Sequence, residues 1–450
     1  MGLGKRRENR QQELWIATDS VARSPRHEFY EKLNRLLAKA EFDRWIERLC
    51  RPHYAEVGRD SIPPGVYFRM LLVGYFEGID GQRGIAWRCA DSLSLKRFLG
   101  YGPTERTPDH SSLTKIRQRL PPEVYDQVFQ FVLTLVEQHK LLAATTVGVD
   151  STTLEANAAM KSIVRKETGE DWNEYVARLM REEGLVEPDE TPSAETLRRF
   201  DKQRTDKKVS NQAWENPHDK DAKIAKMKDG RTHLAYKAEH VVDLETEAIL
   251  SAEVFAADQS DSATLTTSLK QAQEHVDATE SGRLIEKVAA DKGYHAAETL
   301  LACQELGLLG VTTYIPEPAG RRKWTDKSEE MKSAVLGNRA RSRREYGKRL
   351  GRKRSERVER SFAHVCDTGG GRRTHVRGFD NVRKHHLIKA AAHNLGLILR
   401  KLLGAGKPRA YAAILRLIQG LQNAQLTTCE LLGRLRTNKL ANDHSLACAA

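Results

Sequence analysis

Apolar residues recur at helical spacing through the first third of the chain. In "FYEKLNRLLAKAEFDRWIERL" the residues Phe29, Leu33, Leu36, Leu37, Phe42 and Ile46 fall near a 3.6-residue period, which gathers them onto one face. "PPEVYDQVFQFVLTLVEQHKLL" opens on two prolines, whose fixed φ suits a first helical turn. Residues 27–142 therefore predict an all-α region. Within it, "TPDHSSLTKIRQRL" places Asp109 or Ser111 as an N-cap before a basic amphipathic helix bearing Lys115, Arg117 and Arg119. Two readings stay open for that helix, the reading helix of a helix-turn-helix or a solvated face on a packing helix.

The pattern changes at "TTVGVD", residues 145–150, a β-branched run ending on an acid. Residues from about 160 to 230 are rich in Lys, Arg and Glu with few large apolar side chains, and predict a helical, partly mobile insertion. Strand signals resume in "HLAYKAEHVVDLETEAILSAEVFAAD", where two apolar runs flank a turn at 243–246 like a hairpin. A helix follows in "SDSATLTTSLKQAQEHV", with Leu265, Leu269 and Ala272 on one face, and then a short strand at 288–290. "AAETLLACQELGL" predicts a helix closed by Gly307, and "GVTTYIP" a strand stopped by Pro316. Residues 321–354 are dominated by charge and predict a basic, disordered arm ahead of a helix in "RSERVERSFAHV". "HHLIKAAAHNLGLILRKLL" and "AYAAILRLIQGLQ" predict two more helices. The order strand, hairpin, helix, strand, helix, strand gives an α/β core behind the all-α region. No period of 20 to 50 residues is visible, which argues against a solenoid.

Composition narrows the class of partner. The chain has 450 residues, 39% hydrophobic and 30% charged, with a net charge of +13. That charge exceeds what solubility needs and points to a polyanion, either nucleic acid or an anionic membrane surface. The longest apolar stretch, "YFRMLLVGYF", contains an arginine and is about half of the ~20 residues a spanning helix needs. The amino terminus lacks an apolar signal region, and Arg6 stands where a myristoylation motif needs Ser or Thr, so a cytoplasmic protein is expected. Cys50, Cys89, Cys303, Cys366, Cys429 and Cys448 show no paired spacing and read as reduced thiols.

Two acids, Asp150 and Asp291, each end a short apolar strand, and in open α/β sheets that edge is where sites are built. With a third acid on a nearby helix, Glu359, they make the oxygen set that a hard cation such as Mg²⁺ prefers. Such a site serves phosphoryl transfer between oxygens. Each acid also has a plain structural reading: Asp150 as a turn or cap residue, Asp291 as the start of the turn before Gly293. Glu356 lies three residues before Glu359 on a neighbouring position of the same helix face. Glu359 has Phe362 and Ala363 one turn later, which places it nearer the apolar side.

The motifs "VGVDSTTLEANA", "HLAYKAEHVVDLETEAI", "VAADKGYHA", "RSERVERSFAHV", "GGGRRTHVRGFDNV" and "AAAHNL", in this order, resemble the DDE transposases of bacterial insertion sequences, over about residues 25–405. The resemblance implies a helical amino-terminal DNA-binding and dimerisation domain at 1–142 and a ribonuclease-H-like catalytic domain, a mixed sheet flanked by helices, at 143–405. The charged insertion and the basic arm, about 320–354, interrupt that domain, and a helical tail occupies 406–450. It implies that Asp150, Asp291 and Glu359 hold two Mg²⁺ or Mn²⁺ ions and that the protein cuts the ends of an element and joins them to target DNA. A homodimer bridging two ends, acting at the nucleoid, follows from the same likeness. In one branch a tyrosine and an arginine precede the glutamate and a lysine follows it; here Arg352, Ser355 and Cys366 stand at those places, so that signature is not kept.

Cations on both sides of the proposed catalytic helix, among them Arg352, Arg360, Arg372 and Arg373, suit a phosphate backbone. The triple glycine in "TGGGRRTHVRG" lacks the Lys-Ser/Thr of a phosphate loop and reads as a flexible turn. His385, His386 and His393 read as packed, hydrogen-bonded histidines rather than ligands. Trp324 reads either as a base-stacking residue or as an anchor for the arm. Two other functions remain open: a nuclease on the same fold that does not join strands, and a DNA-binding relative that has lost catalysis.

Overall fold

The computed structural model describes residues 27–58, 61–205, 209–227, 230–306, 310–320, 324–325, 327–422, 424–425 and 428. The readings of the first 26 residues, Gly307, the first residues of the basic arm, Cys429 and Cys448 fall outside them.

Among the described residues, seven α-helices form the amino-terminal part: α1 (Glu28–Lys39), α2 (Phe42–Cys50), α3 (Pro64–Glu77), α4 (Gln82–Asp91), α5 (Leu93–Phe98), α6 (His110–Arg119) and α7 (Pro122–Gln138). The predicted face is buried, with Phe29, Leu33, Leu37 and Ile46 fully shut from solvent. Asp109 is the N-cap of α6, accepting from the Ser111 and Ser112 N–H groups at 2.7 and 3.0 Å, which satisfies donors that a helix start leaves orphaned. Arg69, the charge inside the apolar run of α3, is buried but paired: its Nη2 donates to Asp43 Oδ2 at 2.9 Å and its Nε to Asn34 Oδ1 at 3.3 Å. Among the described residues no helix is long and apolar enough to cross a membrane.

The rest of the chain runs β1 (Thr146–Glu155), β2 (Val164–Arg165), α8 (Trp172–Glu182), α9 (Ala194–Gln203), β3 (Trp214–Glu215), β4 (Lys223–Lys226), β5 (Thr232–Asp243), β6 (Ile249–Ala256), α10 (Asp261–Asp277), β7 (Lys287–Ala289), α11 (Ala297–Gln304), β8 (Thr312–Tyr314), α12 (Glu329–Arg343), α13 (Glu345–Phe362) and α14 (Phe379–Leu403). The main sheet has the order β6-β5-β1-β7-β8, with β4 also on β5. Strand β5 is antiparallel to β1 and β6, whereas β1, β7 and β8 run parallel. Residues of β1 and β5 alternate between the two faces, so His240 stacks on Phe362 of α13 while Glu239 bonds Ser268 of α10.

Helix α14 lies between α7 and α3 on one side and β6 on the other, and one continuous apolar core runs from Phe29 to Leu399. Asn394 fixes the seat of α14: its Oδ1 accepts from the Ile249 N–H at 2.9 Å and its Nδ2 donates to the Ile249 carbonyl at 2.8 Å. The hairpin turn is tied down by Asp243, fully buried, whose carboxylate accepts from the N–H groups of Ala143, Ala144 and Glu245 at 2.7, 2.9 and 2.8 Å. Asp243→Ala strands three backbone donors and is expected to destabilise the fold by about 3 kcal/mol, read by denaturant unfolding.

Within the insertion the expected helices are present, α8 and α9, and they close on a small core of Val176, Met180, Leu197 and Phe200. One expectation needs correction: from Glu329 onward the charged arm is helical rather than disordered, because sparse apolar positions suffice to seat it. Ala334, Val335 and Leu350 are buried, and Asn338 brackets Ile315 with hydrogen bonds of 3.0 and 2.7 Å to its N–H and carbonyl. Trp324 packs against the main core, the anchoring alternative.

Candidate active site

Strand β1 presents Gly148 and Asp150 to helix α13. A Cβ at Gly148 would stand 2.8 Å from Val358 Cγ2 and 3.0 Å from Arg354 Cγ, so the bare backbone is what admits the helix. Arg354 Nη1 then donates to Asp150 Oδ2 at 2.6 Å, and the Ser151 N–H donates to Asp150 Oδ1 at 2.8 Å. Burial pushes the Asp150 carboxyl above the usual carboxylate range; Arg354 and the Ser151 N–H oppose it, and the neighbouring Asp291 and Asp261 add to it.

Strand β7 lies beside β1 with Val147 opposite Val288 and Gly148 opposite Ala289. Asp150 and Asp291 each stand two residues beyond the last of these pairs, close enough for the Asp291 charge to act on the Asp150 carboxyl. Asp291 begins a one-turn 3-10 segment, Lys292–Tyr294, and its Oδ1 accepts from the Gly293 N–H at 2.8 Å. Its structural role as a turn residue is therefore real and coexists with its place beside Asp150. Gly293 does not adopt a positive φ. It is needed for room, since a Cβ there would lie 2.7 Å from Asp261 Oδ2 and 3.0 Å from Asp291 Oδ1.

On α13, Arg354, Val358 and Phe362 follow the sheet-facing stripe. Glu359 sits one position beyond Val358, exposed, with its Oε1 accepting from Ser355 Oγ at 2.8 Å. Glu356 lies farther round and is held by Arg360 Nη2 at 2.6 Å. Arg360 and Arg357 both pair with Glu247 of the hairpin turn, a brace between α13 and the β5–β6 connection. Among the described residues no three His, Cys, Asp or Glu side chains are gathered into a ready metal group. The structure thus brings Asp150 and Asp291 together and leaves Glu359 on the crossing helix.

The basic residues divide. Arg372 and Arg373 lie at the end of β1: the Glu155 N–H donates to the Arg372 carbonyl at 3.0 Å, and Arg372 Nη1 donates to Thr152 Oγ1 at 3.0 Å while Nη2 pairs with Asp367 at 2.8 Å. Arg373 is exposed, 3.8 Å from Glu155. Arg352 pairs with Glu345 at 2.9 Å, and Arg360 is engaged by Glu247 and Glu356. On α6, Lys115 is exposed, Arg117 is half-buried, and Arg119 lies 4.5 Å over the Tyr54 ring.

The triple glycine forms a turn, with Gly370 at positive φ, and the turn is closely packed. A Cβ at Gly369 would fall 2.7 Å from the Tyr75 ring, one at Gly370 (φ +68°) 1.7 Å from Asp80 Oδ1, and one at Gly371 2.7 Å from the Val365 carbonyl. The glycines permit this close packing. The histidines are packed as expected: His386 Nε2 and His240 Nε2 share a hydrogen bond of 2.9 Å, and burial pushes both His386 and His393 down to about 3. The described cysteines are buried free thiols, with burial pushing Cys50, Cys89 and Cys303 up to about 12.

Sequence reading missed Arg354, Ser151, Lys237 and Asp261. The first was hidden in a charge run; Asp261 stood at a helix start, where an acid needs no further explanation.

A family model described as a transposase domain (DUF772) matches residues 19–119, and one described as a transposase DDE domain matches residues 205–395. The second takes in Asp291 and Glu359, whereas Asp150 lies before its start. No curated protein and no solved structure matches the chain.

Proposed function

This chain belongs to the DDE transposases of insertion sequences, and from that premise we propose that it binds the ends of its element and cleaves and joins DNA strands at Asp150, Asp291 and Glu359. The observation that supports the reading is the pair of parallel strands β1 and β7, which bring Asp150 and Asp291 near enough that the Asp291 charge adds to the upward push of burial on the Asp150 carboxyl, with α13, the helix that bears Glu359, packed on β1 at Gly148. The order β6-β5-β1-β7-β8, with β5 the antiparallel member, supports a ribonuclease-H-like core. Residues 1–142 are assigned to end binding and dimerisation, 143–405 to catalysis and 406–450 to a tail. Double-stranded DNA at the nucleoid, inside the cytoplasm, and a homodimer bridging two ends complete the proposal.

The donor set fits Mg²⁺ or Mn²⁺ by its chemistry: carboxylate oxygens only, with Asp150 pushed toward its neutral form by burial and by two neighbouring acids, a penalty that a divalent cation offsets. Asp150, Asp291 and Glu359 would hold two such ions, which when bound polarise the scissile phosphate and acidify the attacking water or 3′-hydroxyl. The chain's own part is positional. Arg354 orients Asp150 and opposes the upward push of burial on its carboxyl. The Gly293 N–H fixes one oxygen of Asp291, and Ser355 one oxygen of Glu359. Arg372 and Arg373, at the end of β1, suit the phosphates flanking the cut.

Incubating supercoiled plasmid with an oligonucleotide carrying the element's end, in Mg²⁺, tests the reading. A joined product supports it; nicks alone favour the non-joining nuclease, and neither favours a relative without catalysis. Binding should weaken steeply with salt, and Arg373→Ala should lower the log–log salt slope by about 1 without changing sequence preference.

A further inference from the structure

The three-acid reading gives no task to a fourth carboxylate, Asp261, that touches the segments carrying both Asp150 and Asp291. Its Oδ1 accepts from Ser151 Oγ at 2.8 Å, one residue after Asp150. Its Oδ2 lies against Gly293, where any Cβ would be 2.7 Å away, inside the turn that Asp291 begins. Helix capping does not explain this side chain: Ser260 is the N-cap of α10, and Asp261 turns its carboxylate to the sheet instead.

A buried cation holds it there. Lys237, 4% exposed, places its Nζ 2.8 Å from Asp261 Oδ1, 2.9 Å from Thr264 Oγ1 and 3.6 Å from Glu239 Oε2. Glu239, opposite Ser151 in the β1–β5 register, accepts from Ser268 Oγ at 2.5 Å and from Tyr294 Oη at 2.8 Å. Tyr294 closes the turn of Asp291. Asp261, beside Gly293, and Glu239, hydrogen-bonded to Tyr294, therefore flank the Asp291 turn on the α10 side of the sheet, and the Lys237 ammonium faces both carboxylates.

We propose that Asp261, neutralised by Lys237, is a positioning residue that sets the spacing between Asp150 and Asp291 by clamping Ser151 and the 291–294 turn to one carboxylate. The proposal rests on the reading of Asp150 and Asp291 as the catalytic acids. A misplacement of about 1 Å between reacting groups costs on the order of 10²-fold in rate, which sets the size of the effect.

The test uses the full-length protein and plasmid nicking in Mg²⁺, with the duplex ends that flank this gene as the binding probe. Asp261→Asn should lower kcat about 10²-fold with the dissociation constant for the end duplex unchanged. Ser151→Ala, a milder change, should lower kcat about tenfold, and the double variant should be no slower than Asp261→Asn because both act through one contact. Hydrogen exchange at the Gly293 and Tyr294 amides should speed up in Asp261→Asn. Wild-type nicking by Asp261→Asn, multiplying losses in the double variant, or unchanged exchange would each overturn the clamp. Should Asp150→Asn also nick like wild type, the catalytic reading falls, and the exchange measurement still decides whether the clamp exists.

Discussion

Replacing Asp150, Asp291 or Glu359 singly is expected to reduce strand cleavage by about 10³-fold or more, with binding to end DNA within about threefold of the parent. The expectation follows from what each side chain does besides. Asp150→Ala leaves the Arg354 guanidinium, with its side chain 14% exposed, facing an apolar gap, so Asp150→Asn is the cleaner variant. Asp291→Asn keeps an oxygen for the Gly293 N–H and removes only charge. Glu359 is exposed and bonded to Ser355, so its loss should leave the melting temperature unchanged. Glu356→Ala serves as the internal contrast: it removes a surface pair with Arg360 and should leave cleavage near wild type. Cleavage surviving in Glu359→Ala and failing in Glu356→Ala would reassign the third acid.

Gly148→Ala is expected to cost about 1–3 kcal/mol of stability and about 10²-fold in cleavage together. The added methyl would meet Leu244 Cδ2 at 2.7 Å, Val358 Cγ2 at 2.8 Å and Arg354 Cγ at 3.0 Å. Leu244 sits in the hairpin turn, and Val358 and Arg354 belong to α13, so relief of the overlap shifts the helix that carries Glu359 and the guanidinium on Asp150. Gly351→Ala is the control. It lies on the same helix with nothing within 4 Å of its Cβ, and the substitution should stabilise the helix by about 0.5–1 kcal/mol without slowing cleavage. Urea unfolding and plasmid nicking on the two variants separate helix propensity from helix placement.

The periodic parts of this molecule were open to reading from its residues. The face of Phe29, Leu33 and Leu37, the cap at Asp109, the hairpin around Asp243 and the strand ending before Asp291 all arise from local chemistry. What escaped depends on partners far along the chain. Arg354 belongs to a run of cations that looks solvated until Gly148, on a strand two hundred residues earlier, is seen to admit it. Asn338 makes a basic arm helical by bonding Ile315, a pairing no local window contains. Gly293 and Gly369 to Gly371 looked like devices for turning or bending, which holds for Gly370 at φ +68°, but all four are also constrained by the nearness of Asp261, Tyr75, Asp80 and the Val365 carbonyl. Asp261 was legible as a helix-start acid and as nothing more, because its contact with Ser151 joins positions 110 apart.

Helix α14 sets a condition on synthesis. The part of the chain that ends at Glu359 already holds all three proposed acids, yet α14 begins only at Phe379 and supplies the partner for His240, the bracket on β6 and the surface against which α7 is buried. A chain emerging from the ribosome therefore carries its proposed acids before the helix that completes the core, and long-range closure of this kind is slow because loop entropy is spent first. A polypeptide that stops between Glu359 and Phe379 would hold every proposed ligand without the helix that seats β6 and α7, and is expected to cleave no DNA in the plasmid assay.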